Sequence, residues 1–106
     1  MREGYMTGKR QRCPVHPGTI LRDDVLPALG MSVSGAAGEM KVSRQTLHRL
    51  MRGQTAVTPE MAVRLGKFCG NGAGIWLRMQ QAHDLWHAEN QLRNEISTIK
   101  SHRLAA

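Results

Sequence analysis

The stretch from Ser32 to Gly53 constrains the fold of this chain more than any other, because it has the pattern of two short helices joined by a tight turn. Ala36, Ala37 and Met40 share one face of the first helix. The break that follows ends at Ser43, a residue type that caps helix N-termini well. Since no alternating strand pattern appears elsewhere, we expect an all-α fold built around this pair of helices.

The second helix of the pair, residues 44–51, has one apolar and one polar face. Leu47, Leu50 and Met51 have the i, i+3, i+4 spacing of residues that face a core. No Asp or Glu occurs in residues 41–58. A short helix pair whose second helix is polar outside has the geometry that enters the major groove of DNA. The residues expected to face outward are Arg44, Gln45, Thr46, His48, Arg49 and Arg52.

The charge of the chain also indicates a polyanionic partner. Its 15 Lys and Arg residues exceed its 8 Asp and Glu residues, which gives a formal net charge of +7. Nucleic acid is favoured over membrane, because the sequence has no long apolar run and no strongly amphipathic basic helix. The N-terminus has no apolar signal segment, and two distant cysteines are typical of free thiols in a reducing compartment. We therefore expect a cytoplasmic protein that does not enter a membrane.

Three further helices complete the predicted five-helix, all-α architecture. Pro17 opens the first, because the missing N–H of proline costs nothing there, and Thr58-Pro59 opens the fourth. The last and longest helix has a predicted buried stripe of Ile75, Met79, Ala82 and Trp86. The predicted organisation is a flexible basic N-terminal arm (1–15), a helix-turn-helix domain (16–89) and a polar, helical or frayed C-terminal tail (90–106).

Several separated blocks of the sequence occur together in one known family. They are His16-Pro17-Gly18 with Ile20-Leu21-Arg22, then Val42-Ser43-Arg44-Gln45, Arg52-Gly53 and Thr58-Pro59-Glu60-Met61, and last Ile75-Trp76-Leu77, Met79-Gln80, Ala82 and Asp84-Leu85. In this order they resemble the HigA-type antitoxins, the VapI/HigA branch of the lambda-repressor-like (XRE) helix-turn-helix proteins. The combination is specific, whereas the central motif alone would be a weak signal.

This resemblance implies a function as well as a fold. It implies a DNA-binding homodimer that represses its own operon and neutralises a cognate HigB toxin, a RelE-like nuclease that cleaves messenger RNA on the ribosome. One departure from the family lies at the turn, where Lys41 replaces a frequent glycine. If Lys41 has a positive φ, we expect a cost on the order of 1 kcal/mol relative to glycine.

The resemblance also implies which side chains meet double-stranded DNA. In the superfamily, the N-terminal residues of the second helix touch base edges, and the corresponding residues in this sequence are Arg44, Gln45, Thr46 and Arg49. Their chemistry fits guanine, adenine and the thymine methyl group. Phosphate contacts, which position the domain without reading the sequence, are expected from Lys41, Ser43, Arg52, Gln54 and Thr55.

A homodimer on a palindromic operator is expected, because one short recognition helix makes few base contacts. The predicted interface residues are Trp76, Leu85, Leu92 and Ile96 on the last helix and tail. Plain core packing is the alternative for both tryptophans, and we favour it for Trp86. Since HigB proteins are basic as a family, the toxin would need local acidic anchors, for which the possible residues are Asp23, Asp24, Glu89 and Glu95.

The sequence gives no reason to expect an enzyme, a cofactor or a metal site. His83 and His87 have i, i+4 spacing, but this pair lacks a third ligand in sequence, and Cys13 with His16 is no stronger. His16 is expected to cap or pack at the start of the first helix. No serine–histidine–aspartate set or pair of carboxylates can be named.

Three alternatives to a DNA-binding antitoxin remain open. A repressor of the same family without a toxin would have nearly the same sequence, and a short basic reading frame beside the gene would distinguish the two. A protein-interaction module that no longer binds DNA would be signalled by acidic or apolar residues at positions 44, 45 and 49, which are absent. RNA binding is less favoured, because no exposed aromatic platform is evident.

Overall fold

Residues 12–104, the part of the chain that this computed structural model describes, contain helices and turns and no strand. The predicted all-α fold is confirmed. The elements in chain order are α1 (Pro17–Ile20), a π-type turn (Leu21–Val25), α2 (Leu26–Leu29), α3 (Val33–Met40), α4 (Arg44–Met51), α5 (Pro59–Cys69), α6 (Ala73–Gln91) and α7 (Arg93–Thr98). The first three are continuous, so the described residues form the five predicted helices followed by a short sixth.

Three of the helices begin at hydroxyl caps that the sequence indicates. The side-chain oxygens of Ser32, Ser43 and Thr58 each accept a hydrogen bond from the backbone N–H three residues later, at 3.0, 3.0 and 3.2 Å. Such caps satisfy donors that have no partner inside a helix, and each contributes about 1 kcal/mol. Serine and threonine therefore fix where α3, α4 and α5 begin.

The first helix continues through a proline. In the wide turn before Pro27, the N–H of Leu26 donates to the carbonyl of Leu21, five residues back. A proline ring crowds the preceding helical turn, so this widening accommodates it. The helix ends at Gly30, whose φ of 62° suits glycine.

The core lies between the first helix, the helix-turn-helix pair, α5 and the first half of α6. Its largest fully enclosed side chains are Leu21, Leu47, Leu50, Leu65 and Trp76. Met40, Ala36 and Ala37 complete the predicted inner face of α3. Each large aliphatic side chain buried in this way contributes about 1.5–3 kcal/mol.

The predicted buried stripe of α6 is wrong at Ile75, whereas Met79, Ala82 and Trp86 are half-buried and Met79 packs against the core. Trp76 and Gln80 are the buried residues, whereas Ile75 is 39% exposed. Trp76 is only 1% exposed, so its predicted place in a dimer interface is also wrong: its ring is enclosed by its own chain. Both errors arise because α6 has apolar residues on adjoining faces, so periodicity does not determine which face is inward.

The far end of the chain projects from this core. The described part of the molecule measures 51 × 28 × 22 Å, and every residue from Glu89 to Leu104 is exposed. The predicted helical tail is present as the end of α6 and as α7. Most of the predicted N-terminal arm, residues 1–11, lies outside the described residues; of the remainder, Cys13 and Pro14 contact α6. None of the described helices combines the length and hydropathy needed to cross a bilayer.

Candidate nucleic-acid interface

The turn between α3 and α4 is made by a lysine in the left-handed region. Lys41 has φ 62° and ψ 40°, and it is the one described residue other than glycine with a positive φ. The N–H of Val42 donates to the carbonyl of Ala37 at 3.0 Å, which closes the end of α3. The condition stated for Lys41 is therefore met, and its positive φ costs on the order of 1 kcal/mol relative to glycine.

Arg64 of α5 stabilises this turn from the side. Its guanidinium donates to the carbonyls of Met40 at 2.8 Å and Lys41 at 3.2 Å. A cation at the C-terminal end of a helix also interacts favourably with the helix dipole. Sequence reasoning missed this residue, because nothing in the pattern of α5 shows that Arg64 lies beside the end of α3.

The N-terminus of α4 is organised by Ser43. Its hydroxyl oxygen accepts from the N–H of Thr46 at 3.0 Å, and the hydroxyl donates to the Thr46 side-chain oxygen at 2.8 Å. Two residues predicted to contact DNA are thus joined to each other. Ser43 was predicted as a phosphate contact, and in this structure its hydroxyl serves as the cap of α4.

The outward face of α4 is free to meet a ligand. Arg44, Gln45 and Arg49 are exposed, and their side chains form no hydrogen bond or ion pair with the described part of the chain. Thr46 is half-buried on the same helix. The inward face is as predicted, since Leu47, Leu50 and Met51 are buried. The four side chains predicted to read bases therefore all belong to α4. Three of them, Arg44, Gln45 and Arg49, are exposed, and Thr46 is half-buried.

The predicted phosphate contacts flank this face. Lys41 lies before α4, and Arg52, Gln54 and Thr55 follow it, all exposed. Gly53, with φ 73°, turns the chain there, and the N–H of Gln54 donates to the carbonyl of Arg49 at 2.9 Å. The basic and hydroxyl side chains are thus carried by the segments at the two ends of α4.

The His16-Pro17-Gly18 block lies against the C-terminal end of α4. The Nδ1 of His16 accepts from the N–H of Gly18 at 2.9 Å, so the predicted capping role is confirmed. Burial, assisted by the neighbouring His83, lowers the pKa of His16 and favours the neutral ring that this bond requires. A Cβ on Gly18 would lie 1.8 Å from the Leu50 carbonyl oxygen, so only glycine lets the end of α4 approach so closely.

Gln80 of α6 holds the loop after α4. It is 4% exposed; its Oε1 accepts from the N–H of Val57 at 2.8 Å, and its Nε2 donates to Asp84 at 2.9 Å. Trp76 donates to the side-chain oxygen of Asn71 at 2.9 Å. In the sequence, Gln80 and Asp84 are noted only because they match the family pattern. In the structure, Asp84 orients the Gln80 amide, and Gln80 holds the loop that follows α4.

The surface residues predicted for protein partners have different environments. Leu85, Leu92 and Ile96 are 58%, 47% and 48% exposed. Among the four possible acidic anchors, Asp23 is paired with Arg22 at 2.7 Å, and this pairing lowers the pKa of the carboxyl. The other three, Asp24, Glu89 and Glu95, are exposed.

Comparison with known proteins supports a helix-turn-helix assignment. Residues 10–73 match the model of a family described as a helix-turn-helix domain. Virulence-associated protein I of Dichelobacter nodosus is 38% identical over 87% of this chain and 84% of its own length. Antitoxin HigA-1 of Vibrio cholerae is 33% identical over 87% of each chain.

A solved structure agrees with both the fold and the subgroup. The Pseudomonas aeruginosa antitoxin HigA, determined with the higBA promoter, superposes with a TM-score of 0.79. It is 32% identical to this chain, and the match covers 86% of this chain and 99% of that one. The chain therefore belongs to the helix-turn-helix family, within its group of HigA-type antitoxins and their relatives.

Proposed function

We propose that this protein is a DNA-binding repressor that reads an operator upstream of its own gene through the outward face of α4. The observation that carries the proposal is that Arg44, Gln45 and Arg49 are exposed and unpaired within the described chain, on a helix whose opposite face is buried. A HigA antitoxin of the same fold has been determined with promoter DNA, which supports the same use of this surface.

The side chains of α4 divide by chemistry into two roles. Arg44 and Arg49 supply forked donors for guanine, and Gln45 supplies a donor and an acceptor for adenine. Arg52 and Lys41 supply charge for phosphates at the two ends of the helix. We assign specificity to the first group and salt-dependent affinity to the second.

The repressor acts as a homodimer in this proposal. Two-fold symmetry would place two copies of α4 in successive major grooves, about 34 Å apart on a palindromic site. Leu85 of α6, Leu92 between the two helices and Ile96 of α7 have an i, i+7, i+11 spacing and are about half exposed, and we treat them as one apolar stripe. We assign the dimer contact to this stripe, because a second copy would remove it from water.

We further propose that the protein neutralises a small basic toxin of the HigB class. The support is family membership together with exposed carboxylates at Asp24, Glu89 and Glu95, none of which belongs to α4 or to the segments that flank it. Local acidic groups are needed, because a net charge of +7 gives no general attraction to a basic partner.

The proposed DNA function is tested by fluorescence anisotropy on the DNA upstream of the gene and on a scrambled duplex of equal length. We expect a preference of about a thousandfold for the upstream DNA, which the double variant Arg44→Ala/Gln45→Ala abolishes. The matched control is Gln91→Ala/Arg103→Ala, which removes the same two residue types from exposed positions at the far end of the chain. Equal binding of wild-type protein to both duplexes would overturn the proposal.

The toxin function is tested separately by co-expressing the protein with the product of the adjacent reading frame. We expect rescue of growth and a complex that survives gel filtration. If the adjacent product is not toxic and does not bind, while the operator preference persists, the protein is a stand-alone repressor.

A further inference from the structure

We propose that Cys13, His83 and His87 form a binding site for a single zinc ion. This site joins the segment before α1 to the outer half of α6. In sequence, Cys13 and the histidine pair lie 70 and 74 residues apart. In the structure their ligand atoms all lie within 4.8 Å of one another.

The distances fit tetrahedral zinc. With Zn–S near 2.3 Å and Zn–N near 2.05 Å, sulfur and nitrogen ligands of one ion lie about 3.5 Å apart. The Sγ of Cys13 lies 3.3 Å from the Nε2 of His87 and 3.7 Å from the Nδ1 of His83. Two of the three ligand pairs therefore already have the required spacing, and only the two histidines need to adjust.

The donor set selects the class of metal. One thiolate and two imidazoles suit zinc, whereas magnesium and calcium require oxygen ligands. Cys13 and His83 are half-buried and His87 is exposed, so the fourth position faces water or a donor from a partner molecule. The neighbouring His16 is not part of the site, because its Nδ1 caps α1.

Binding requires two proton changes at the site. The Nδ1 of His83 donates to the carbonyl of Pro14 at 2.8 Å, so this nitrogen has no free lone pair in the metal-free arrangement. Zinc would take the tautomer with the proton on Nε2, and the thiol of Cys13 would release its proton to solvent. No oxidant or reductant is involved, and each ion bound releases about one proton near neutral pH.

A metal bound at this site would tie the segment before α1 to α6. The helix pair at α1 and α4 depends on His16-Pro17-Gly18, and the segment that contains Cys13 runs directly into this block. A metal that fixes Cys13 to α6 stabilises the folded state by an amount that grows with the logarithm of the free metal concentration above its Kd. At a free zinc concentration 100 times the Kd, we expect the Tm to rise by roughly 10 °C.

The test uses the reduced full-length protein and cobalt as a spectroscopic substitute for zinc. We expect one cobalt ion per chain, with visible bands of tetrahedral coordination and a near-ultraviolet thiolate-to-cobalt band that zinc abolishes by displacement. Cys13→Ser removes the thiolate band, and His87→Gln weakens cobalt binding by at least about tenfold, because it removes a direct ligand. The control variants Cys69→Ser and His102→Gln retain both signals, since neither residue belongs to the cluster.

Two results would overturn the site. One is a wild-type protein that shows no saturable cobalt or zinc binding, and the other is binding that survives unchanged in Cys13→Ser. Circular dichroism of the metal-free variants checks that each one is folded. Since His87 is exposed, its replacement tests the site without disturbing the core.

Discussion

Helices α4 and α6 both mix apolar and polar residues, but they distribute them differently. In α4 the apolar residues lie on one face, and that face is buried. In α6 the ring of Trp76 is 1% exposed while Leu85 is 58% exposed, so apolar residues occur on an inner and an outer face. A helix with one apolar face can be oriented from sequence, whereas one with two cannot. The second apolar face of α6, which includes Leu85, stays largely uncovered within a single chain.

The largest expected effect comes from the inner face of α6. Trp76→Ala should lower the free energy of unfolding by about 3–5 kcal/mol, because it removes a fully buried ring and leaves a cavity. Ile75→Ala, one position away and 39% exposed, should cost less than about 1 kcal/mol. Urea unfolding followed by circular dichroism measures both. Equal losses would mean that α6 does not turn the face with Trp76 toward the core.

The outer face of α6 is tested by the oligomeric state. If the apolar stripe forms the dimer contact, Leu85→Asp and Ile96→Asp should each weaken dimerisation by about 2 kcal/mol or more, roughly thirtyfold in Kd. Sedimentation equilibrium measures this shift. Gln91→Asp adds the same charge at an exposed position off the stripe and should leave the dimer intact. A dimer that tolerates all three changes must use a different surface.

A smaller effect is expected at the buried amide of α6. Gln80→Met would leave the N–H of Val57 without its acceptor, at a cost of about 1–3 kcal/mol. Amide hydrogen exchange at Val57 should accelerate, and urea unfolding should show the same loss. Gln91→Met, at an exposed position, should change stability by no more than about 0.5 kcal/mol. Unchanged exchange at Val57 would show that the Gln80 bond does not hold the loop.

The smallest effect is expected at the turn before α4. Lys41→Gly should raise the free energy of unfolding by up to about 1 kcal/mol, because glycine adopts the φ of 62° without strain. Lys100→Gly removes the same charge from an exposed position with ordinary backbone and serves as the control. A loss of stability in Lys41→Gly would show that contacts of the lysine side chain outweigh the backbone cost.

These helices also show how much of the fold and the interface the sequence alone could predict. Hydroxyl caps and the apolar spacing of α4 predicted where these helices begin and which face of α4 is buried, because these signals are local. The roles of Arg64, Gln80 and Gly18 could not be predicted, because each depends on a backbone carbonyl or N–H from a distant element. The proximity of Cys13 to His83 and His87 was missed for the same reason.

We propose that α4 reads bases while its flanking residues only contact phosphates, and one pair of variants tests this division most directly. The Kd values of Arg44→Ala and Arg52→Ala are measured on the upstream operator and on a scrambled duplex at several salt concentrations. Arg44→Ala should weaken operator binding by about 1–3 kcal/mol and reduce the ratio between the two duplexes. Arg52→Ala should weaken both duplexes equally and lower the salt slope by about 1. If Arg44→Ala instead weakens both duplexes equally and leaves the ratio unchanged, α4 does not read the operator.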